Sequence, residues 1–220
     1  MITTPKTKAP TPGRVLLQNI TWETYERLLN EMGHQRNTRL NYDRGLLEIM
    51  TPLFEHEHPK RILEKFVDAL ADILNIEIVS AGSTTLNRPD LARGSEPDSG
   101  FYIQNEQQIQ GKRTIDLKTD PPPDLVIEID VTSSSIDREG IYAAMGVPEI
   151  WRCDRGEVKF LQLRSGNYVE TEYSLAFPVL PVTEVAKFLE QSQTVGETTL
   201  LKAFRAWVRE QIQAEEPVKK

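Results

Sequence analysis

The sequence predicts an α/β domain with a central mixed sheet flanked by helices, and three observations carry that prediction. Helical apolar stripes lie toward both ends of the chain, strand-like runs punctuated by Gly-containing turns fill the middle, and a strand, helix, strand order runs over 124–153. At 220 residues the chain suits one decorated domain better than two small ones, each of which would be short of core. The expected division is a flexible tail over 1–14, the domain over 15–213 and a second tail over 214–220. Hydrophobic residues at 39% against 27% charged ones are enough for a sizeable core, which sets general disorder aside.

The elements follow in order. Thr21 stands as an N-cap before Trp22, Tyr25, Leu28 and Leu29, spaced along one helix face. Strand-like runs over 39–42 and 46–50 flank Asp43-Arg44-Gly45, a hairpin turn signal. His58 and Pro59 open the longest helical pattern, whose stripe of Ile62, Leu63, Phe66, Val67, Leu70, Ile73 and Leu74 runs to Asn75. That stripe must lie on a sheet or another helix. Strands are expected over 76–80 and 100–104, joined by a loop holding Asn87-Arg88-Pro89-Asp90 and Arg93-Gly94-Ser95-Glu96. Residues 105–123, polar and Pro-terminated, predict an exposed, mobile connection. A strong strand over 124–132 comes next, then a short helix ending before Gly146 and a strand over 149–153. Turns at Asp154-Arg155-Gly156 and Ser165-Gly166-Asn167 lead into strands over 158–163 and 168–173. A last helix over 199–213 presents Leu200, Leu201, Phe204, Trp207, Val208 and Ile212 on one side. There is no internal repeat.

Composition excludes several functions. No stretch approaches the roughly 18 consecutive apolar residues of a membrane span, and the first fourteen residues lack a secretory apolar segment, so a cytoplasmic protein with no membrane partner is expected. Cys153, the single cysteine, rules out an internal disulfide and argues against a thiolate zinc site; a buried strand position suits it. A formal charge of −7 weighs against a simple DNA-coating protein, although acidic residues gathered to hold metal ions contribute to such a balance.

The most informative segment is Pro123-Asp124-Leu125-Val126-Ile127-Glu128-Ile129-Asp130-Val131-Thr132. Side chains alternate across a strand, so Leu125, Ile127, Ile129 and Val131 share one face and Asp124, Val126, Glu128 and Asp130 the other. A central strand of an α/β sheet buries both faces, and buried carboxylates ionise at a cost unless something neutralises them. Glu128 and Asp130 are about 6.6 Å apart along the strand, too far for a mutual hydrogen bond. A divalent cation shared with a carboxylate of a neighbouring strand is one solution; a solvent-exposed polar face is the other. Asp98, between Pro97 and Ser99-Gly100, reads on local grounds as a turn residue.

Glu96-Pro97-Asp98, the block 122–128, Ser133-Ser134-Ser135 and the block 142–151 together resemble the Uma family of restriction endonucleases, catalogued as a domain of unknown function and similar in fold to PD-(D/E)xK nucleases. The resemblance runs from about Thr21 to Trp207, and its specific part is 124–151. It implies a restriction-endonuclease-like fold, Mg²⁺ (or Mn²⁺) bound by Asp98 and Glu128, DNA as substrate, phosphodiester hydrolysis, and a homodimer where both strands are cut. The lysine such sites carry two residues past the Glu is replaced by Asp130, a candidate third ligand. Many members place a lysine on the following helix instead, and this chain has Arg138 there. Arginine stays charged and is no general base, yet it can stabilise a phosphorane-like transition state; a surface arginine paired with Asp137 or Glu139 is the alternative.

His56 and His58 lack a third soft ligand nearby, which favours solvation at a helix entry. The resemblance implies a histidine approaching the metal from this region, making His56 an accessory ligand candidate. Glu64 faces away from the apolar stripe, toward the surface. Ser135 reads as a cap for the helix beginning near Ile136, with phosphate contact by the three serines as the other reading. A catalytically silent nucleic-acid-binding or partner-binding module of the same fold is the alternative function.

Overall fold

The computed structural model describes residues 13–33, 37–51, 54–130 and 136–215. The chain begins with β1 (Arg14–Leu17) and α1 (Trp22–Met32), the helix capped by Thr21, whose hydroxyl accepts the Thr24 N–H at 3.2 Å. Next come β2 (Arg39–Asp43) and β3 (Leu46–Met50), the expected hairpin, with Arg44 and Gly45 both at positive φ as a two-residue turn requires.

Helix α2 (Phe54–Leu74) begins four residues earlier than expected. Pro59 therefore lies inside it, forgoing one intrahelical bond, and the added turn carries His56 into the interior. Asn75, at φ 53°, closes the helix, and Ile76 N–H still bonds Ala71 C=O, so β4 (Val79–Gly82) starts three residues later than the apolar run suggested. The expected loop after it contains β5 (Leu86–Arg88) and β6 (Arg93–Ser95), joined through a 3₁₀ turn at Pro89–Leu91. Strands of three residues are too short to show alternation.

After β7 (Ser99–Tyr102), the polar connection holds a short helix, α3 (Glu106–Ile109), and buries Ile109 and Leu117, so it is less exposed than its composition implies. Then follow β8 (Leu125–Asp130), α4 (Arg138–Met145), β9 (Glu149–Asp154), β10 (Glu157–Arg164) and β11 (Asn167–Thr171). Helix α5 (Val182–Gln191) was not anticipated, although Val182, Val185, Ala186 and Leu189 repeat at helical spacing; α6 (Glu197–Glu215) ends the described chain.

Two sheets result. The first, antiparallel, runs β1-β3-β2-β6-β5, and α1 packs on it through Tyr25, Leu40, Tyr42 and Leu47. The second runs β11-β10-β9-β8-β7-β4, with only β8 and β9 parallel, and is the predicted central mixed sheet. All six residues of β8 are buried, which removes the reading of a solvent-facing acidic face. Leu125, Ile127 and Ile129 join Phe66, Phe188 and Phe204 in the core formed with α2, α5 and α6. Val126 faces the other way, into a smaller core with Ile141, Tyr142 and Met145 of α4. Cys153 is buried at the end of β9, where burial raises its thiol pKa to about 11. Among the described residues no helix is long and apolar enough to cross a membrane.

One contact ties the first sheet to α1. Tyr25 Oη donates to Asn87 Oδ1 at 2.9 Å directly over Gly94, where a Cβ would collide with both side chains. Gly94→Ala is expected to cost about 1–3 kcal/mol by overpacking, read as a lower urea midpoint at unchanged m-value; an unaltered midpoint would show that this contact yields freely.

Candidate active site

Strands β7 and β8 pair antiparallel, Ser99 opposite Ile127 and Gly100 opposite Val126. One further step of that register sets Asp98 across from Glu128, and Asp98 Oδ2 accepts the Ile129 N–H at 2.7 Å. Asp98 is only 2% exposed, so it is a buried group at the entry to β7 and no surface turn residue. Its Oδ1 accepts from Arg39 Nη1 of β2, which also reaches the Pro97 carbonyl at 2.9 Å.

Glu128 and Asp130 project from β8 toward α4. One guanidinium bridges them: Arg138 Nη1 donates to Glu128 Oε2 and Nη2 to Asp130 Oδ1. Arg138 is 8% exposed, which excludes the surface-arginine reading. The other oxygen of Glu128 accepts from Tyr142 Oη, one helical turn past Arg138 on the same face of α4, and Ser95 Oγ lies 2.9 Å from that hydroxyl. The other oxygen of Asp130 accepts Arg152 Nε at 3.0 Å, and Arg152 also bonds Glu139 at 2.8 Å. The neutraliser that two buried carboxylates demand is thus arginine within the chain. A cavity of about 170 Å³ opens against Glu128, Asp130, Arg138, Tyr142 and Arg152.

Burial dominates the electrostatics. It pushes Glu128 up to about 7, reinforced by the charges of Asp98 and Asp130 and opposed by Arg138. Burial alone would lower Arg138, but Glu128 and Asp130 more than compensate and hold it firmly protonated. Tyr142 is raised by burial and by the charge of Glu128, so it remains a donor to that carboxylate. His56, 2% exposed, is held below its usual pKa by burial, with Asp98 pulling the other way. Its side chain therefore lies within the field of Asp98 and is neutral at pH 7, the form a metal ligand needs.

Other acidic and hydroxyl candidates have structural duties. Asp124 accepts the N–H groups of Ile103 and Asn105 at 2.7 and 2.9 Å, and Glu96 accepts Leu40 N–H at 2.8 Å. Glu64 is half-buried and bonds Arg61 at 3.1 Å. The serines at 133–135 lie outside the described residues; the cap of α4 is Asp137, which accepts Gly140 N–H at 2.9 Å. Sequence reasoning missed Arg39, the Tyr142 hydroxyl and Arg152 as site groups. Tyr142 was signalled by its four-residue spacing from Arg138, and Arg152 by the parallel register that sets it opposite Glu128. Arg39, 59 positions from Asp98, has no local signal.

Among the described residues no set of three or more His, Cys, Asp or Glu side chains is arranged to hold a metal. Mg²⁺ asks for less, since it keeps several waters and is held by one or two carboxylates plus substrate phosphate. Asp98 and Glu128, hard oxygen donors on adjacent strands, fit that requirement in kind.

Residues 22–192 match the family model Uma2, described as "Putative restriction endonuclease". Among solved structures, one from Anabaena variabilis ATCC 29413, described as "a putative nuclease belonging to DUF820", superposes with a TM-score of 0.50 at 14% identity. The match covers 77% of this chain and 99% of the other. That likeness establishes a shared fold, the restriction-endonuclease-like mixed sheet flanked by helices. No curated protein matches.

The Arg138 bridge generates a stability test. Glu128 binds its proton more tightly folded than unfolded, so its contribution is complete below 4.5 and is lost as pH rises through about 7. Arg138→Leu removes the opposing positive charge and deepens that loss. It is expected to cost about 3–5 kcal/mol at alkaline pH and clearly less at pH 5, where Glu128 is protonated. Urea unfolding at both pH values without divalent cations measures it, and a cost independent of pH would contradict the bridge.

Proposed function

The chain belongs to the Uma2 family, and from that membership we propose that it is a Mg²⁺-dependent endonuclease hydrolysing DNA phosphodiester bonds, with Mn²⁺ able to replace Mg²⁺. The observation that carries this reading is the placement of Asp98 opposite Glu128 on neighbouring strands, both buried, Glu128 against Arg138 and Asp98 against Arg39. In this reading Asp98 and Glu128 hold the cation, with Asp130 and His56 as accessory groups. A bound divalent ion supplies a water of lowered pKa and a positive charge for the scissile phosphate.

The chain's own groups do the rest. Tyr142 donates to Glu128 and fixes its carboxylate plane, while the Ile129 N–H fixes that of Asp98. Arg138 cannot take a proton from water, since a guanidinium stays charged; its role is to bind and orient a phosphate oxygen. Position 130, where related nucleases carry lysine, holds Asp130, so no side-chain amine stands beside Glu128 on β8. Cutting both strands of a duplex calls for two such sites, and a two-fold homodimer presents them to phosphates related by the same symmetry. A cytoplasmic setting goes with this reading.

One observation favours a second reading, a silent nucleic-acid-binding or partner-binding module: every oxygen of Asp98, Glu128 and Asp130 already has a protein donor. Two measurements separate the readings. Mg²⁺ or Mn²⁺ is expected to raise the melting temperature by binding the native state, and Asp98→Asn with Glu128→Gln to abolish that rise. Plasmid DNA with Mn²⁺ is expected to be nicked by the intact chain, faster by Arg138→Lys and not by Glu128→Ala. If the metal neither raises the melting temperature nor supports nicking, the silent module is the correct reading.

A further inference from the structure

We propose that Arg138 is an exchangeable counter-ion: its guanidinium ties Glu128 to Asp130 in the free protein and passes to a substrate phosphate when DNA binds, so that divalent cation and DNA enter this site together. The proposal rests on the nuclease reading above and names the regulation of that same site. Three features carry it.

The first is the fork. Arg138 uses its two terminal nitrogens on two different carboxylates, Nη1 on Glu128 and Nη2 on Asp130, and so already holds a positive charge against Glu128, one of the two proposed cation ligands. The second is the charge balance. Asp98, Glu128 and Asp130 face Arg39, Arg138 and Arg152, with Arg152 divided between Asp130 and Glu139. With Glu139 counted, four carboxylates meet three guanidiniums, so most of the field that would draw in a dication is already cancelled.

The third is the asymmetry of what each carboxylate keeps when Arg138 leaves. Among the described residues, Asp130 retains Arg152, whereas Glu128 retains only the Tyr142 hydroxyl as a donor. A buried carboxylate stripped of its positive partner is costly, and a cation arriving at Glu128 removes that cost. The guanidinium needs an equivalent partner in turn. A phosphodiester offers paired oxygens that suit the same planar fork, and the cavity of about 170 Å³ beside Arg138 gives the fork room to turn toward it. Metal and DNA affinities are then linked, each raising the other by the same factor.

The test titrates Mg²⁺ by calorimetry into the intact protein, Arg138→Gln and Arg138→Lys, each alone and with a short phosphorothioate DNA duplex that resists cleavage. The intact protein is expected to bind Mg²⁺ about tenfold or more tightly with the duplex than without it. Arg138→Gln is expected to bind Mg²⁺ more tightly than the intact protein when DNA is absent, and to gain little from the duplex. Arg138→Lys, a point charge that cannot bridge both carboxylates, is expected between the two, and it stands in should the glutamine variant fail to fold. Mg²⁺ affinity that is equal in all three proteins and indifferent to DNA would overturn the exchange while leaving the metal site intact. Mg²⁺ binding by none of them, with or without DNA, would overturn the metal-dependent reading and the exchange with it.

Discussion

Carboxylates on a strand buried on both faces must be neutralised, and much of this molecule is arranged around that requirement. β8 lies inside its sheet between β7 and β9, with α2 on its apolar face. Its other face carries Glu128 and Asp130 into a region where water cannot screen them. The compensation comes from three elements: Arg138 and Tyr142 from α4, Arg152 from β9, and, far away in sequence, Arg39 from the first sheet for Asp98. Placing those groups requires the parallel β8–β9 pairing, the short connection through α4, and the packing of the first sheet against the second.

The two sheets divide the work accordingly. The mixed sheet, with α2, α5 and α6 packed on one face, supplies the rigid apolar body in which aromatic pairs such as Phe66 and Phe204, with centroids 4.2 Å apart, exclude solvent. The antiparallel sheet has a smaller core and contributes polar groups to the site. Arg39 and Asn41 come from β2 and Ser95 from β6, while Arg93 bonds Asp43 at 2.9 Å and the Gly140 carbonyl of α4 at 3.2 Å. Helix α4 therefore sits between the sheets with its buried face fastened to both. A side chain on that face is as well placed as one on β8 itself.

What the sequence disclosed depended on the range of the interaction concerned. Local signals were legible: the Thr21 cap, the Arg44-Gly45 turn, the acidic and apolar alternation of β8 and the long stripe of α2 all state their own structure over a few residues. Elements whose stability comes from tertiary pairing were not. β5 and β6 are three residues each and exist because β2 offers an edge, and the extra turn of α2 ahead of Pro59 is held although its backbone pays one hydrogen bond. The site divided the same way. The acidic face of β8 implied a buried charge problem, but its solution by Arg138 depended on where α4 docks, and Arg39 reached Asp98 through a sheet contact with no trace in either segment. Asp98 itself was visible through family resemblance; its local sequence suggested only a turn.

Arginine at position 138 lets one set of contacts serve a stable fold and, in the proposed reading, a metal-using site. An ammonium there would place one point charge near Glu128 or Asp130, whereas the guanidinium fork engages both at once. The fold is stabilised because neither buried carboxylate is orphaned when the site holds nothing else. In the proposed reading the same bonds oppose function, since a cation at Glu128 would compete with a positive charge already seated there. Stability and the proposed catalysis thus draw on one pair of carboxylates, and they become compatible only if the guanidinium has somewhere else to go at the moment of use. A phosphate on the bound substrate meets that condition, because it arrives with the reaction and is absent otherwise.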